Sequence, residues 1–284
     1  MAAQLAIDLL RCFSIVAETG ALSRAADRIG RSQAAVSMQM KRLEETVGQP
    51  LLNRTGRGVF LTAHGERLLT HARRILRSHD DALAELSGRS LSGTLRFGCP
   101  DDYADAFLPA LLRSFAELHP HAIIDVVCAS TPRLLNQLDR NILDLALTSV
   151  ALASARPILR QEELVWVGPK NSRGDWPDPL RLALGDPDTL DHRAAIAALD
   201  QAGRTYQIAY SSGSLSGLIA VVRSGQAVAV LTRAAVPADL GILSTAMGLP
   251  DLPRIGLITQ MDERRASPLT RAFEAHIRTI LPAL

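Results

Sequence analysis

Long apolar runs are missing from this 284-residue chain. No stretch reaches the ~18 consecutive apolar residues that a membrane-spanning helix needs. Asp8, Arg11 and Glu18 interrupt the first twenty residues, where a secretory leader requires an unbroken apolar core. The expectation is a cytoplasmic protein. Cysteine is scarce. Cys12, Cys99 and Cys128 are too few and too scattered for a disulfide scaffold or a four-cysteine zinc site. Catalytic signatures are lacking as well: there is no G-x-S-x-G, no P-loop, no G-x-G-x-x-G after a strand and no H-E-x-x-H, the patterns of a nucleophile elbow, a phosphate cradle, a dinucleotide turn and a zinc helix. The seven histidines share no helical register. His119-Pro120-His121 reads as an exposed turn, short of the three or four ligands a metal wants. No enzymatic activity, cofactor or metal is expected.

What is present is an ordinary globular composition, 47% hydrophobic and 21% charged, on a chain long enough for about two domains at ~100 to 200 residues each. The net charge of +2 is unevenly spread. Residues 1–92 carry 13 Lys+Arg against 9 Asp+Glu, whereas the remainder carries 18 against 20. The basic part is where nucleic-acid binding would most simply reside.

Apolar residues Leu9, Leu10, Phe13, Val16 and Ala17 recur at helical spacing before Gly20, predicting a first helix. A short second helix runs from about Ser23 to Ile29 and stops at Gly30. A third begins after Ser32, a good N-cap, with Val36, Met40, Leu43 and Val47 on one face and Gly48 and Pro50 as its stop. A short helix, a glycine turn and a longer helix with a polar first half make the helix-turn-helix plan, whose second helix enters the major groove. Gln33, Ala34, Ser37, Met38 and Lys41 point outward. Gln33 can pair with a base edge, Ser37 with a base or phosphate, and Ala34 or Met38 with a thymine methyl. A three-helix bundle with a solvated face is the competing reading. Leu51-Leu52 and Val59–Leu61 then flank a Gly56 and Gly58 turn that carries Arg54 and Arg57. This is a hairpin wing whose arginines can grip phosphates, unless it is an ordinary exposed turn.

The stretch Ala25 to Glu44, then Val47-Gly48, Leu51–Thr55 and Leu61-Thr62, resembles the winged helix-turn-helix of LysR-type transcriptional regulators nearly position by position. Ala21, Ala34 and Met38 depart from it, standing where that family has a capping Ser, a Pro and an Arg. The resemblance implies a DNA-binding regulator that is not an enzyme. Its implied DNA-contacting positions are Ser32, Gln33, Ala34, Ser37, Met38, Lys41, Arg54 and Arg57. Its implied partners are double-stranded promoter DNA, a small-molecule effector, a second copy of the chain as homodimer or homotetramer, and RNA polymerase.

From Thr62 to Leu86 the chain reads as one long helix with an apolar stripe of Leu68, Leu69, Ala72, Ile75, Leu76, Leu83 and Leu86. Such a stripe needs a partner. The chain's own following domain is one candidate; the resemblance implies another, antiparallel pairing with the helix of a second copy through Leu69, Ala72, Leu76 and Leu83. Ser87 to Gly93 reads as a hinge.

Strands then alternate with helices, first over Leu95–Cys99, Ile123–Cys128 and Leu143–Leu147, and again from Leu164 through Leu182–Leu184, Tyr206–Tyr210, Ala227–Leu231 and Ile255–Ile258, with a last helix from Pro268. This predicts α/β units on parallel sheets. The expected organisation is a winged helix-turn-helix (1–62), a linker helix and hinge (63–92), and a two-subdomain α/β effector domain (93–284). The resemblance makes this domain periplasmic-binding-protein-like, with subdomain I near 93–160 and 261–284 and subdomain II near 161–260.

Open parallel sheets bind ligands beyond the carboxyl ends of their strands. That rule nominates Asp101, Asp102, Tyr103, Ser130, Thr131, Thr148, Ser211 and Ser212, with Arg193 at a helix start. Each hydroxyl is also a good helix N-cap. Helix N-termini favour a carboxylate ligand, while Asp101 and Asp102 favour a neutral or amine-bearing one. Cys99 and Cys128 end consecutive strands and could form a redox pair or be inert. A solute-binding module that no longer binds DNA, and an enzyme without a recognised motif, stay open as alternatives.

Overall fold

The structure is a computed structural model that describes residues 4–55, 58–87, 91–172, 174 and 176–284. It divides into two compact units, residues 1–93 and 94–284.

In the first unit three helices, α1 (Ile7–Thr19), α2 (Leu22–Ile29) and α3 (Gln33–Val47), surround Leu10, Phe13, Val16, Ala25, Val36, Met40 and Leu43, all buried. Glycines end all three, and Gly20, Gly30 and Gly48 adopt the left-handed conformation that lets the chain reverse without strain. The wing is an antiparallel hairpin of β1 (Leu52–Thr55) and β2 (Gly58–Leu61), in register Leu52↔Leu61. The long helix α4 (Ala63–Ser87) is capped by Thr62, whose hydroxyl accepts from Gly65 N–H at 3.0 Å and donates to Pro50 O at 2.7 Å. Only glycine fits at position 65, where a Cβ would stand 2.2 Å from Leu51 O.

The α4 stripe meets a partner within its own unit. Leu69, Ala72 and Leu76 are buried in the same core as Leu10 and Phe13 of α1. An Arg11–Asp80 ion pair at 2.7 Å ties the two helices further along. Of the four residues expected at a second-copy face, three are thus already covered within the chain, while Leu83, 56% exposed, lies outside that core.

The second unit comprises β3 (Gly93–Cys99), α5 (Asp101–Leu118), β4 (Ala122–Cys128), α6 (Thr131–Asp139), β5 (Leu145–Ala151), β6 (Arg160–Pro169), β7 (Leu180–Leu184), α7 (Leu190–Gln201), β8 (Tyr206–Ser211), α8 (Leu215–Arg223), β9 (Val228–Thr232), β10 (Leu240–Leu243), β11 (Arg254–Gln260) and α9 (Pro268–Ile280). Its strands join in one nine-stranded sheet ordered β4-β3-β5-β11-β6-β9-β7-β8, with β10 beside β6. Pairing is parallel in β3–β5, β7–β8 and β7–β9, as the alternation predicts. It is antiparallel wherever β6 or β11 takes part. The sheet is therefore mixed. The two crossing strands run against their neighbours, and β10, which the sequence reading missed, pads β6. The returning helix α9 packs on the first half, where Phe273 meets Phe97 and Phe115 edge-on at centroid distances of 5.1 and 4.7 Å.

Candidate DNA interface and effector cleft

The outward face of α3 is built by its inward one. With Val36, Met40 and Leu43 buried, Gln33, Ala34, Met38 and Lys41 are left exposed, Met38 by 70%. Ser37 is partly covered. The Ser32 hydroxyl accepts from Ala35 N–H at 3.2 Å, so this side chain serves as the helix cap. Lys41 lies 3.9 Å from Glu45, an exposed pair that leaves its charge available.

The wing is fixed to the helices at two points. Glu44 Oε1 accepts from Leu51 N–H at 2.8 Å and Leu52 N–H at 3.1 Å, joining the end of α3 to the start of β1. Val59 N–H donates to Gly20 O at 2.9 Å. Gly58, at φ 140°, permits that approach, since a Cβ there would lie 2.8 Å from Gly20 O. Arg54 sits on β1, in register with Val59; Arg57 lies outside the described residues.

In the second unit a cavity of ≈ 780 Å³ opens between the two halves of the sheet, beyond the ends of β3, β5 and β7. Asp101, Asp102, Ser130, Thr131, Arg193 and Ser212 lie on its wall, as the strand-end rule predicts. Three nominated residues do not. α5 begins at Asp101, so Tyr103 is already helical and turns into the core, stacked on Phe107 at 5.5 Å with its hydroxyl 3.2 Å from Ser149 Oγ. Thr148 is buried on β5, where its hydroxyl accepts from Gln260 Nε2 at 2.7 Å. Ser211 ends the edge strand β8, a strand removed from the cavity.

Ser130 Oγ donates to Asp186 Oδ2 at 3.4 Å, and Arg133 Nη2 lies 3.2 Å from the same oxygen. This bond set joins the α6 end of one half to the β7 end of the other. Thr131 Oγ1 accepts from Ser149 N–H at 3.1 Å, and Ser212 Oγ bonds Ser214 within its own turn. Burial, with Asp191 and Asp101 nearby, pushes the Asp102 carboxyl up to about 7. Burial likewise raises Asp191, against hydrogen bonds from Thr189 and the helix amides, and Asp101, against the charge of Arg133.

Residues 7–66 match the family described as bacterial regulatory helix-turn-helix protein, lysR family, and residues 88–281 match the LysR substrate binding domain. The chain belongs to the LysR family. It is a LysR-type DNA-binding transcriptional regulator with an effector-binding domain. It is 58% identical over 281 residues, 99% of this chain and 96% of the relative, to the HTH-type transcriptional regulator DgdR of Burkholderia cepacia. It is 32% identical to the HTH-type transcriptional regulator PecT of Dickeya dadantii, over 87% of this chain and 78% of the relative. The fold is that of the LysR family transcriptional regulator CbnR complexed with its target DNA, at a TM-score of 0.65 and 23% identity over 97% of this chain and 99% of that one. A probable transcriptional regulator from Pseudomonas aeruginosa gives a TM-score of 0.72 at 19% identity, covering 97% and 98%.

The LysR regulator holds cleft residues that the sequence reading passed over: Asp186, Asp188, Asp191 and Thr232, with Arg133 paired to Asp186. The segment Gly185-Asp-Pro-Asp-Thr-Leu-Asp191 follows a strand and opens a helix, and the rule that nominated Asp101 to Tyr103 applies to it equally. Thr232 gave no signal, because a threonine ending a buried strand looks like core. Cys99 is buried and Cys128 exposed, both unbridged. Burial raises both thiols, which lowers the thiolate population that oxidation requires. Among the described residues no group of three or more His, Cys, Asp or Glu could hold a metal, and no helix is long and apolar enough to cross a membrane.

Proposed function

We propose that this regulator acts in the cytoplasm on promoter DNA, with α3 in the major groove and the wing on the flanking backbone, and that a small molecule in the cleft changes its promoter affinity or geometry. The observation that carries the reading is the exposed first half of α3, held at a set distance from the wing by Glu44. Gln33 is placed to read a base edge. Lys41, Arg54 and Arg57 supply charge to phosphates. A homodimer or homotetramer would read a partly palindromic site of matching symmetry. Its contact includes the exposed Leu83, and RNA polymerase is a further partner once the regulator is in place. The protein is read as non-enzymatic.

Footprinting on the promoter of its own gene and of the divergent neighbour tests the docking. Arg54→Ala and Arg57→Ala should weaken binding to all sequences and flatten its salt dependence, whereas Gln33→Ala should relax base preference by ~1–3 kcal/mol. Wild-type footprints and salt slopes in all three variants would refute it. Sedimentation of Leu83→Glu tests the oligomer, and an unchanged species would move the contact elsewhere.

A further inference from the structure

The two halves of the second unit are joined through β6 and β11, and the cleft opens between them. Away from those strands a carboxylate bridges the gap. Asp186 Oδ2, on the turn before α7 in the second half, accepts from the Ser130 hydroxyl at 3.4 Å and lies 3.2 Å from Arg133 Nη2. Both partners come from the start of α6 in the first half, and neither serves its own helix. Ser130 holds the N-cap position of α6 without a side-chain cap bond, and Arg133 is a cation in the first turn, where the helix dipole favours an anion. α6 has no acid of its own there. Asp186 supplies one from across the cleft.

The second half is shaped to receive the guanidinium. The Asp186 carbonyl accepts from Thr189 N–H at 3.0 Å and from the Thr189 hydroxyl at 2.8 Å, which fixes the turn that presents the carboxylate. Beside it the β8–α8 turn offers Gly213. A Cβ there would stand 3.2 Å from Arg133 Nη2 and 3.7 Å from Cζ and Nη1, so the guanidinium lies against bare backbone. Ser212 N–H donates to Leu184 O at 3.2 Å and ties this second turn to the end of β7, two residues before Asp186. Arg133 thus enters a socket with a charged end and a flat side, the shape a planar cation fits.

The contact is built to yield. Arg133 and Asp186 are 58% and 32% exposed, so water and salt screen their attraction. A second acid competes for the same cation: the charge of Arg133 also acts on Asp101, at the start of α5 in its own half. Asp101 and Asp186 both lie on the cavity wall. An occupant of the cleft therefore meets the two acids between which Arg133 is shared.

We infer that Arg133 is a latch on the cleft: seated against Asp186 and Gly213 it holds the two halves at one spacing, and drawn back toward Asp101 it frees them to turn where β6 changes partners. This rests on reading the cavity as the effector cleft. An effector that spreads the rims has to unseat Arg133, and one that draws them together keeps it seated, so the latch sorts occupants into two arrangements of the halves.

The test is a spin-label distance measurement on the full chain, with labels at Asn136→Cys on α6 and Ala220→Cys on α8 in a Cys128→Ser background, Cys12 and Cys99 being buried. The parent should give one narrow distance. Arg133→Ala should raise the share of longer distances several-fold, and Arg133→Glu, which repels Asp186, should raise it further. Arg133→Glu combined with Asp186→Arg should restore the parent distribution. Salt at about 1 M should lengthen the distances of the parent and leave those of Arg133→Ala unmoved. Without any added metabolite, the promoter footprint of Arg133→Glu should differ from that of the parent, and the charge swap should bring it back. Distances unmoved by either Arg133 variant, a swap that restores nothing, a parent indifferent to salt, or identical footprints overturn the inference. The two readings fail separately. Metabolites that stabilise the parent but not Leu135→Trp, whose side chain obstructs the cavity, leave the effector cleft standing when the distances do not move. Stabilisation that survives Leu135→Trp removes the effector cleft, and the latch with it, whatever the distances show.

Discussion

The proposed DNA-reading face of the first unit is drawn from Gln33 to Lys41 on one helix, while the cleft of the second collects residues from Pro100 to Ile255. The two sites are made by different physics. On α3 a single amphipathic period sorts side chains, so burying Val36, Met40 and Leu43 dictates which neighbours face outward. In the cleft no local period operates. Chain crossings bring together helix starts that are far apart in sequence, and each contributes only one or two side chains. A local site tolerates little backbone damage within one segment, whereas a distributed one depends on the sheet that spaces its parts.

The largest effect should separate the two units. Leu76→Glu places a carboxylate in the core shared by α1 and α4 and should destabilise the first unit by roughly 3–5 kcal/mol, with the transition of residues 94–284 unchanged in calorimetry. A folded first unit that has merely lost its oligomer would contradict the intrachain packing. Next in size is Glu44→Ala, which leaves the amides of Leu51 and Leu52 without their carboxylate. A loss of about 2–3 kcal/mol is expected, with DNA affinity falling alongside; denaturant titration showing no change would detach the wing from α3.

Asp102→Asn should act in the opposite direction. The native carboxyl titrates at about 7, above its ordinary value of 3.8, so the native state holds a proton that the unfolded chain releases, and wild-type stability falls as pH rises from about 4 to 7. The neutral amide avoids this. It should be no more stable at pH 4 and about 1–2 kcal/mol more stable at pH 8, the part of the shift left after solvent screening at a partly exposed group. Equal melting temperatures at pH 8 would show that Asp102 is ordinary. The smallest effect is Ala21→Ser. Ala21 occupies the N-cap of α2 without a side-chain bond, and a hydroxyl there should add about 0.5–1 kcal/mol, measured by the denaturation midpoint.

Much of this was legible beforehand, for reasons that can be located. Gly20, Gly30 and Gly48 announced three helix ends, and the third-helix stripe announced its buried face. Strand and helix alternation announced the second unit. Direction was not legible, because a strand buried on both faces, such as β6, reads the same whether its neighbours run with it or against it. The α4 stripe gave periodicity but not the identity of its partner, which α1 proved to be for Leu69, Ala72 and Leu76. In the cleft, Asp101 and Ser130 followed from the strand-end rule, whereas Tyr103 was lost to a helix that already begins at Asp101 and turns Tyr103 into its buried stripe with Phe107, Leu111 and Phe115. Asp102 and Asp191 gained their meaning only when two distant helix starts were set near each other.

The strand β6 belongs to both halves of the second unit. Arg160 to Glu163 pair with β11, and from Leu164 onward the same strand pairs with β9 and then β10. At the changeover Glu163 binds Arg233 and Arg254, one from each side. A continuous hydrogen-bonded strand twists far more readily than it stretches, so the halves are joined as by a torsion bar. Any relative turn of the two halves would fall on the φ and ψ dihedrals flanking Glu163 and Leu164, where one strand changes partners, and not on the rigid peptide bond between them.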